Sequence, residues 1–140
     1  MKNALKITFA LLLIFTLTFS LASCGDDTSD PWDDAIYTEN AEFGSGAKTV
    51  AVTVKVNENS VIFTIHTDKA TVGEALLEND LISGEDGAYG LYVKKVNGIT
   101  ADYDIDQSYW AFYVNGEYAM TGIELTNINE GDVYEVVYTK

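Results

Sequence analysis

Residues 49–67 have the sequence TVAVTVKVNENSVIFTIHT, and this stretch decides the fold class. Its first part places valine at every second position, with small or polar residues in between. Its last part repeats the alternation, with Val61, Phe63 and Ile65 on one side. A period of two is typical of strands that bury one face, and the polar residues 57–60 suit a turn between them. We therefore predict a β-hairpin.

A short helix follows the hairpin. Thr71 and Glu74 have the spacing of a capping box, in which each side chain bonds the backbone N–H of the other residue. Together with the apolar residues behind it, this pair predicts a helix over residues 72–79. Residues 83–87, which contain two glycines and two acids, predict a loop.

Three further runs of apolar and aromatic residues, at 90–97, 109–114 and 133–139, predict strands. The pairs Asn97-Gly98 and Asn115-Gly116 predict tight turns, and the second returns through residues 117–120. The predicted order is therefore β-β-α-β-β-β-β. This order predicts an α+β, β-grasp-like domain over residues 48–140: a hairpin, one short helix, and a mixed or antiparallel sheet of about five or six strands.

The N-terminus predicts export. Lys2 and Lys6 precede an apolar run at residues 7–21, which is typical of a signal peptide. A run of about 15 residues is short for a membrane-spanning helix, which needs roughly 20. The end of the run, LASC at residues 21–24, resembles a bacterial lipobox. That resemblance implies cleavage after residue 23, lipidation of Cys24, and anchoring at the extracytoplasmic face of a bacterial membrane.

Two alternatives for this N-terminus stay open: an ordinary cleaved signal with a chance cysteine, and an uncleaved anchor. Residues 24–47 are acidic, contain the one proline of the chain, and show no sustained apolar period. They predict a solvated tether between membrane and domain. This segment contains four large apolar residues: Trp32, Ile36, Tyr37 and Phe43. They either dock on the domain or are scattered along the tether without packing.

Composition excludes several function classes. The chain of 140 residues has a formal net charge of −14 and contains no arginine. Binding of nucleic acid through its phosphates needs clustered basic residues, so we exclude that class. A single cysteine excludes a disulfide scaffold and a cysteine-based zinc site. A hydrophobic fraction of 47% excludes a disordered chain.

Three segments carry a family resemblance: GLYVKKVNGITA at residues 90–101, YWAFYVNGE at 109–117, and GDVYEVVY at 131–138. In this order and spacing they resemble the C-terminal β-domain of transcobalamin and intrinsic factor. They resemble still more closely the bacterial surface domains grouped with it as DUF4430. The resemblance implies a β-grasp fold related to ligand-binding domains. The animal relatives bind cobalamin between this domain and a larger helical domain, which has no counterpart in the present sequence.

Candidate ligand-binding residues come from the aromatic strands and the two tight turns. Rigid aromatic rings suit a flat ligand or a partner surface, although they also favour ordinary strand packing. We expect Trp110 and Phe112 to lie mainly in the core, and Tyr109 and Tyr113 to lie on the opposite face. The candidates are Tyr92, Asn97, Gly98, Tyr109, Trp110, Tyr113, Asn115 and Gly116.

Other chemistry is weakly represented. Asp102, Asp104 and Asp106 have the spacing of a calcium loop, but Gln107 and Tyr113 stand where such a loop has glycine and glutamate. We expect a solvated loop there and leave calcium open. The single histidine, His66, is expected to be exposed. The chain has no nucleophile elbow and no glycine-rich phosphate loop, so we predict that it is not an enzyme.

These observations predict a membrane-anchored lipoprotein whose domain binds a small ligand, with cobalamin or another corrinoid as the candidate. No other cofactor is expected. The alternative is a protein–protein or adhesion module that recognises a surface protein through the same aromatic residues. A third hypothesis is a structural spacer domain.

Overall fold

The computed structural model describes residues 29–140. The predicted signal peptide and Cys24 therefore lie outside the described residues. Within residues 29–140, no helix is both long enough and apolar enough to cross a bilayer.

Residues 29–140 form nine strands and two α-helices, and of these two helices only the first exceeds four residues. In order, the elements are a 3₁₀ turn at Pro31–Asp34, β1 (Ala41–Gly44), β2 (Lys48–Val56), β3 (Asn59–Thr67), α1 (Val72–Glu78), β4 (Ile82–Gly87), β5 (Gly90–Val96), β6 (Ile99–Thr100), α2 (Tyr103–Asp106), β7 (Tyr109–Val114), β8 (Glu117–Tyr118), a 3₁₀ turn at Ile123–Leu125, and β9 (Tyr134–Thr139).

The strands form two sheets. The larger has six strands in the order β1-β3-β2-β9-β7-β8, and the smaller has three in the order β4-β5-β6. The larger sheet is mixed, because β1 runs parallel to β3 and β2 runs parallel to β9. The predicted α+β class is thus confirmed in outline, and the predicted strand number fits the larger sheet. The sequence predicts one sheet, however, and β5 lies in a second.

The predicted hairpin is confirmed. Strands β2 and β3 pair antiparallel with Val52 opposite Phe63 and Val54 opposite Val61. This register places the alternating apolar residues of both strands on one face, where they are almost fully buried. Helix α1 covers that face with Leu76 and its neighbours.

The predicted helix and its capping box are also confirmed. The Glu74 N–H donates to Thr71 Oγ1 at 3.3 Å, and the Thr71 N–H donates to Glu74 Oε2 at 3.2 Å. The backbone and side-chain hydrogen bonds from Thr71 lower the pKa of the Glu74 carboxyl.

One loop prediction is wrong. Residues 83–87 belong to strand β4, which pairs antiparallel with β5 and has a register shift between Ser83 and Gly84. Only Ile82 of this strand is buried. Because the strand is held by backbone pairing and buries no alternating face, its sequence carries no period of two.

Much of the segment in which we expect a tether packs on the domain. Strand β1 pairs along the edge of the larger sheet. The rings of Tyr37, Phe43 and Phe63 pack edge to face, with centroids 5.1–5.7 Å apart. Trp32 also packs against the core. Of the two interpretations of the apolar residues in this segment, docking on the domain describes Trp32, Tyr37 and Phe43. Ile36, in contrast, remains largely exposed.

Candidate functional site

A cavity of about 340 Å³ lies where strand β7 of the larger sheet faces strand β5 of the smaller one. In the pairing of β7 with β9, Trp110 lies opposite Tyr138 and Phe112 opposite Val136. Residues directly opposite across a ladder share one face of a sheet, so Trp110, Phe112 and Val136 form one wall. Strand β5 forms the other wall, and residues 118–123 complete the cavity.

The lining side chains are mostly aliphatic and aromatic, polar groups are also exposed in it, among them hydroxyls of tyrosine and threonine, and none of the side chains is charged. The lining residues are Leu91, Tyr92, Val93, Tyr109, Trp110, Phe112, Tyr118, Ala119, Met120, Thr121, Gly122, Ile123 and Val136. The nearby carboxylate of Glu124 accepts a hydrogen bond from the Leu91 N–H at 2.6 Å, and this bond ties strand β5 to the 3₁₀ turn at Ile123–Leu125.

One residue that lines the cavity has a buried, unpartnered polar atom. The Trp110 side chain is only 8% exposed, and its Nε1–H is buried without a hydrogen-bond partner among residues 29–140. A buried donor without a partner costs about 1–3 kcal/mol, so native structures rarely keep one without a reason. The ring of Tyr138 packs edge to face against this indole, with centroids 5.5 Å apart.

The mouth of the cavity is surrounded by exposed apolar side chains. Met120 is 96% exposed and Tyr89 is 91% exposed. A Cβ added to Gly90 would lie 3.9 Å from the Leu125 Cγ, so strand β5 and the second 3₁₀ turn approach each other here. We refer to these exposed residues, Tyr89, Tyr92, Met120 and Leu125, as the rim.

Three of the predicted ligand-binding residues come together here: Tyr92, Tyr109 and Trp110 line the cavity. Tyr113 does not. Its ring packs edge to face on Tyr118, 5.6 Å between centroids, on the face of β7 opposite Phe112. Phe112, which we expect in the core, is only partly buried, because strand β5 leaves the cavity open beside it.

Asn97 and Gly98 lie away from the cavity and hold the N-terminal segment. Asn97 is buried; its Oδ1 accepts from the Tyr37 N–H at 2.9 Å and its Nδ2 donates to the Tyr37 carbonyl at 2.8 Å. A Cβ on Gly98 would lie 2.7 Å from the Ile36 side chain, so this turn is covered. Both turn residues have positive φ, as the Asn-Gly pair predicts.

Asn115 has a similar structural role at the other predicted turn. Its Nδ2 donates to Asp132 Oδ1, and its Oδ1 accepts from the Val133 N–H, both at 2.9 Å. Gly116 points into open space. The Asn129 Nδ2 also donates to Asp132, at Oδ2 and 3.0 Å. The hydrogen bonds from Asn115 and then Asn129 lower the pKa of the Asp132 carboxyl.

The sequence did not single out the remaining wall residues, among them Leu91, Val93 and residues 119–123. The cavity is made by two sheets, and the sequence predicts one. The indication available in the sequence was the apolar run Tyr118, Ala119 and Met120 shortly after the Asn115-Gly116 turn.

The acidic residues 102–106 form helix α2 and its cap. Asp102 accepts from the Asp104 N–H, and Asp106 accepts from the Ser108 N–H, both at 3.0 Å. Hydrogen bonds from Ser108, followed by one from Lys140, lower the pKa of the Asp106 carboxyl. Across the part of the chain that the structure describes, no three His, Cys, Asp or Glu side chains are grouped to hold a metal ion.

His66, which we expect to be exposed, is partly buried at the sheet edge. Its Nε2 contacts the Glu42 carboxylate, and its Nδ1 lies 3.1 Å from Thr49 Oγ1. Glu42 belongs to strand β1, which pairs with the strand that carries His66. The residues around His66 in the sequence do not predict this pairing, so the partial burial of the histidine was not predicted.

Comparison with known proteins supports a family assignment. Residues 69–140 match the family described as "Domain of unknown function (DUF4430)". A comparison with curated proteins found no significant match. Among solved structures, a candidate metal-binding protein from Ruminococcus gnavus is 33% identical, with a TM-score of 0.63, and the match covers 67% of this chain and 98% of that one.

Haptocorrin, crystallised in complex with Cbi, matches with a TM-score of 0.56 and 20% identity. The match covers 70% of this chain but 26% of haptocorrin, and at this identity the likeness shows the fold alone. The fold of the present domain is thus shared with one part of a larger protein. The family match over residues 69–140 shows that the chain belongs to the DUF4430 family.

Proposed function

We propose that this protein is a surface lipoprotein that binds a small ligand in the cavity between β5 and β7, with a corrinoid as the candidate ligand. The single observation that carries the proposal is the uncharged, aromatic cavity with its exposed rim. Concave, mainly apolar sites with few polar groups are the usual form of small-molecule sites. Binding, and no catalysis, is the activity proposed.

The size of the cavity limits how a corrinoid fits. Small-molecule sites range from about 300 to 1,000 Å³, so 340 Å³ lies at the small end. A complete corrin macrocycle with its side chains exceeds this volume. In the proposed complex, therefore, one peripheral group of the ligand enters the cavity and the macrocycle lies across the rim.

The choice of a corrinoid rests on likeness. The fold is shared with haptocorrin, which was crystallised in complex with Cbi. In addition, the sequence resembles the β-domain of transcobalamin, and this resemblance supports the proposed β-grasp relationship. The domain corresponds to about a quarter of haptocorrin. A partner chain that covers the exposed side of the ligand is part of the same proposal.

An absorbance titration tests the function. Cobalamin is added to the protein and the corrin spectrum is followed, with Tyr92→Ala as the test variant and Tyr113→Ala as the control. Each substitution removes one tyrosine ring, but only Tyr92 lines the cavity. We expect micromolar or tighter binding that Tyr92→Ala weakens by about tenfold, the loss of one well-packed aromatic contact. Tyr113→Ala should bind within twofold of the wild type.

An unchanged corrin spectrum at millimolar protein would refute a corrinoid ligand. Equal losses in the two variants would place the ligand elsewhere.

A second candidate function is favoured by the rim. Exposed Met120, Tyr89 and Leu125 form the kind of apolar patch that marks protein–protein sites. In that case the protein is an adhesion or interaction module on the cell surface. Binding to a surface protein that depends on Met120 and Leu125, together with no corrinoid binding, would favour this module over a carrier.

A further inference from the structure

We propose that Asn115 is a site of spontaneous deamidation, and that its conversion loosens the β7–β8 hairpin, which borders the cavity. The chain has two Asn-Gly pairs that the sequence predicts as tight turns, at residues 97–98 and 115–116, and neither lines the cavity. Deamidation needs no ligand, so this modification goes beyond the proposed function.

The reaction takes place within the Asn-Gly pair. The backbone nitrogen of the glycine loses its proton to water and attacks the side-chain carbonyl carbon of the asparagine. The new C–N bond closes a cyclic imide, and the side-chain nitrogen leaves as ammonia. Water then opens the imide at either carbonyl, which gives aspartate or, with the main chain rerouted through the side chain, isoaspartate. Glycine favours the attack, because it has no side chain to hinder the nitrogen and its backbone rotates freely.

The turn at Asn115 has room for this rearrangement. Both Asn115 and Gly116 are exposed, and a Cβ added to Gly116 would meet no atom within 4 Å. Strand β8, to which the turn leads, has two residues and pairs with β7 alone. Segments with few hydrogen bonds and few packed neighbours open most readily, so local opening of this turn costs little.

The turn at Asn97 is closed by the N-terminal segment. Asn97 is buried, and its carbonyl accepts from the Ile36 N–H at 3.0 Å. A Cβ on Gly98 would lie 2.7 Å from the Ile36 side chain and 2.8 Å from the Asp34 carbonyl oxygen. The imide cannot form here until that segment is displaced. Because the amide groups of both asparagines accept one hydrogen bond and donate another, the cover over the turn is what separates the two sites.

Conversion changes the contacts that hold the hairpin. The Asn115 Nδ2 donates to Asp132 Oδ1 at 2.9 Å, so aspartate at this position places a second carboxylate against that of Asp132. Like charges at this distance repel each other. Isoaspartate also lengthens the main chain inside the two-residue loop that sets the register of β7 with β8. Ala119 and Met120, which follow β8 and line the cavity, are displaced with the hairpin.

Peptide mapping by mass spectrometry tests the site. The full-length protein is incubated at neutral pH in non-ionic detergent and digested at intervals. We expect Asn115 to deamidate about tenfold faster than Asn97, which corresponds to a difference of about 1.4 kcal/mol in local opening. Both pairs follow a valine, so they are closely matched in sequence. In urea, where neither turn is folded, the two rates should be equal.

Hydrogen exchange tests the effect on the hairpin. Deamidated protein carries an added negative charge and is separated by anion exchange. In this fraction the Ala119 N–H, which donates to the Phe112 carbonyl at 2.9 Å, should exchange about tenfold faster. The Asn97 N–H, bonded to the Leu81 carbonyl, should be unchanged. Asn115→Gly is the control, since glycine accepts positive φ and has no amide to lose, and its exchange should stay constant during incubation.

Two results would overturn the proposal: equal rates for the two asparagines in the folded protein, or a deamidated fraction whose Ala119 N–H exchanges as in fresh protein. Neither measurement contains a ligand. Failure here therefore leaves the proposed corrinoid binding intact, and failure of the cobalamin titration leaves the deamidation site intact.

Discussion

At the scale of single residues, Asn97 and Asn115 occupy similar turns and have the same structural role. Asn97 and Asn115 both adopt positive φ ahead of a glycine, which is the backbone that the Asn-Gly pair predicts. Each also uses its side-chain amide to bond a distant strand or segment. The sequence predicted the turns but not these bonds, because their partners are distant in the sequence, 60 residues away for Asn97. Both residues were candidates for ligand contact, and the structure gives them structural partners instead.

Asn97→Gly tests this role. Glycine keeps the positive φ but leaves the Tyr37 N–H and carbonyl without their partner, so we expect the free energy of unfolding to fall by about 2 kcal/mol. Asn57→Gly is the matched control, because Asn57 also has positive φ but makes only one exposed contact, to Asp30 at 3.3 Å. Its stability should change by less than about 0.5 kcal/mol in urea denaturation. Equal effects of the two substitutions would contradict a clamp at Asn97.

At the scale of elements, the sequence pattern predicted those strands and helices that bury one face. The β2–β3 hairpin and helix α1 were predictable, since one face of each is buried and alternates in the sequence. Strands β1 and β4 were missed, because each lies at a sheet edge and is held mainly by backbone pairing. The same omission hid the second sheet and with it one wall of the cavity.

Helix α1 provides a prediction in which packing opposes propensity. Alanine is favoured over glycine in a helix by about 1 kcal/mol, so Gly73→Ala would stabilise an isolated helix. Here a Cβ at this position would lie 2.6 Å from the Glu124 Cα, which belongs to the backbone of the second 3₁₀ turn. Overpacking costs about 1–3 kcal/mol. We therefore expect a net loss of about 1 kcal/mol in thermal or chemical denaturation.

Gly122→Ala is the control for this substitution. Gly122 has negative φ and its nearest neighbour for an added Cβ is 3.6 Å away, an ordinary contact. Its stability should stay the same or rise by up to about 1 kcal/mol. A stabilised Gly73→Ala protein would show that α1 does not pack as closely on Glu124 as described.

At the scale of the whole molecule, packing of residues 30–44 shortens the distance to the proposed anchor. A tether over residues 24–47 would extend for many tens of ångströms. With Asp30 already capping the first 3₁₀ turn, only residues 25–29 separate Cys24 from the domain, and they span at most about 18 Å. The acidic charge of the chain, −14 overall, then disfavours contact with anionic lipid at this short range.

Cys24→Ala tests the anchor. Without the thiol there is no site for the proposed lipid, so we expect the variant to lose the acyl mass at its N-terminus and to leave the detergent-extracted membrane fraction. Ser29→Ala, which keeps the cysteine and lies outside the LASC motif, is the control. A Cys24→Ala protein that fractionates with membranes as the wild type does would contradict lipid anchoring.

The central claim is that the cavity between the two sheets holds the ligand, and amide chemical-shift mapping with a corrinoid tests it most directly. We predict that cobalamin shifts the amides of Tyr92, Trp110 and Gly122 in ¹⁵N-labelled protein and leaves those of Tyr37, Asn97 and Gly116 in place. Saturable shifts confined to the second group, or none at millimolar cobalamin, would contradict the claim.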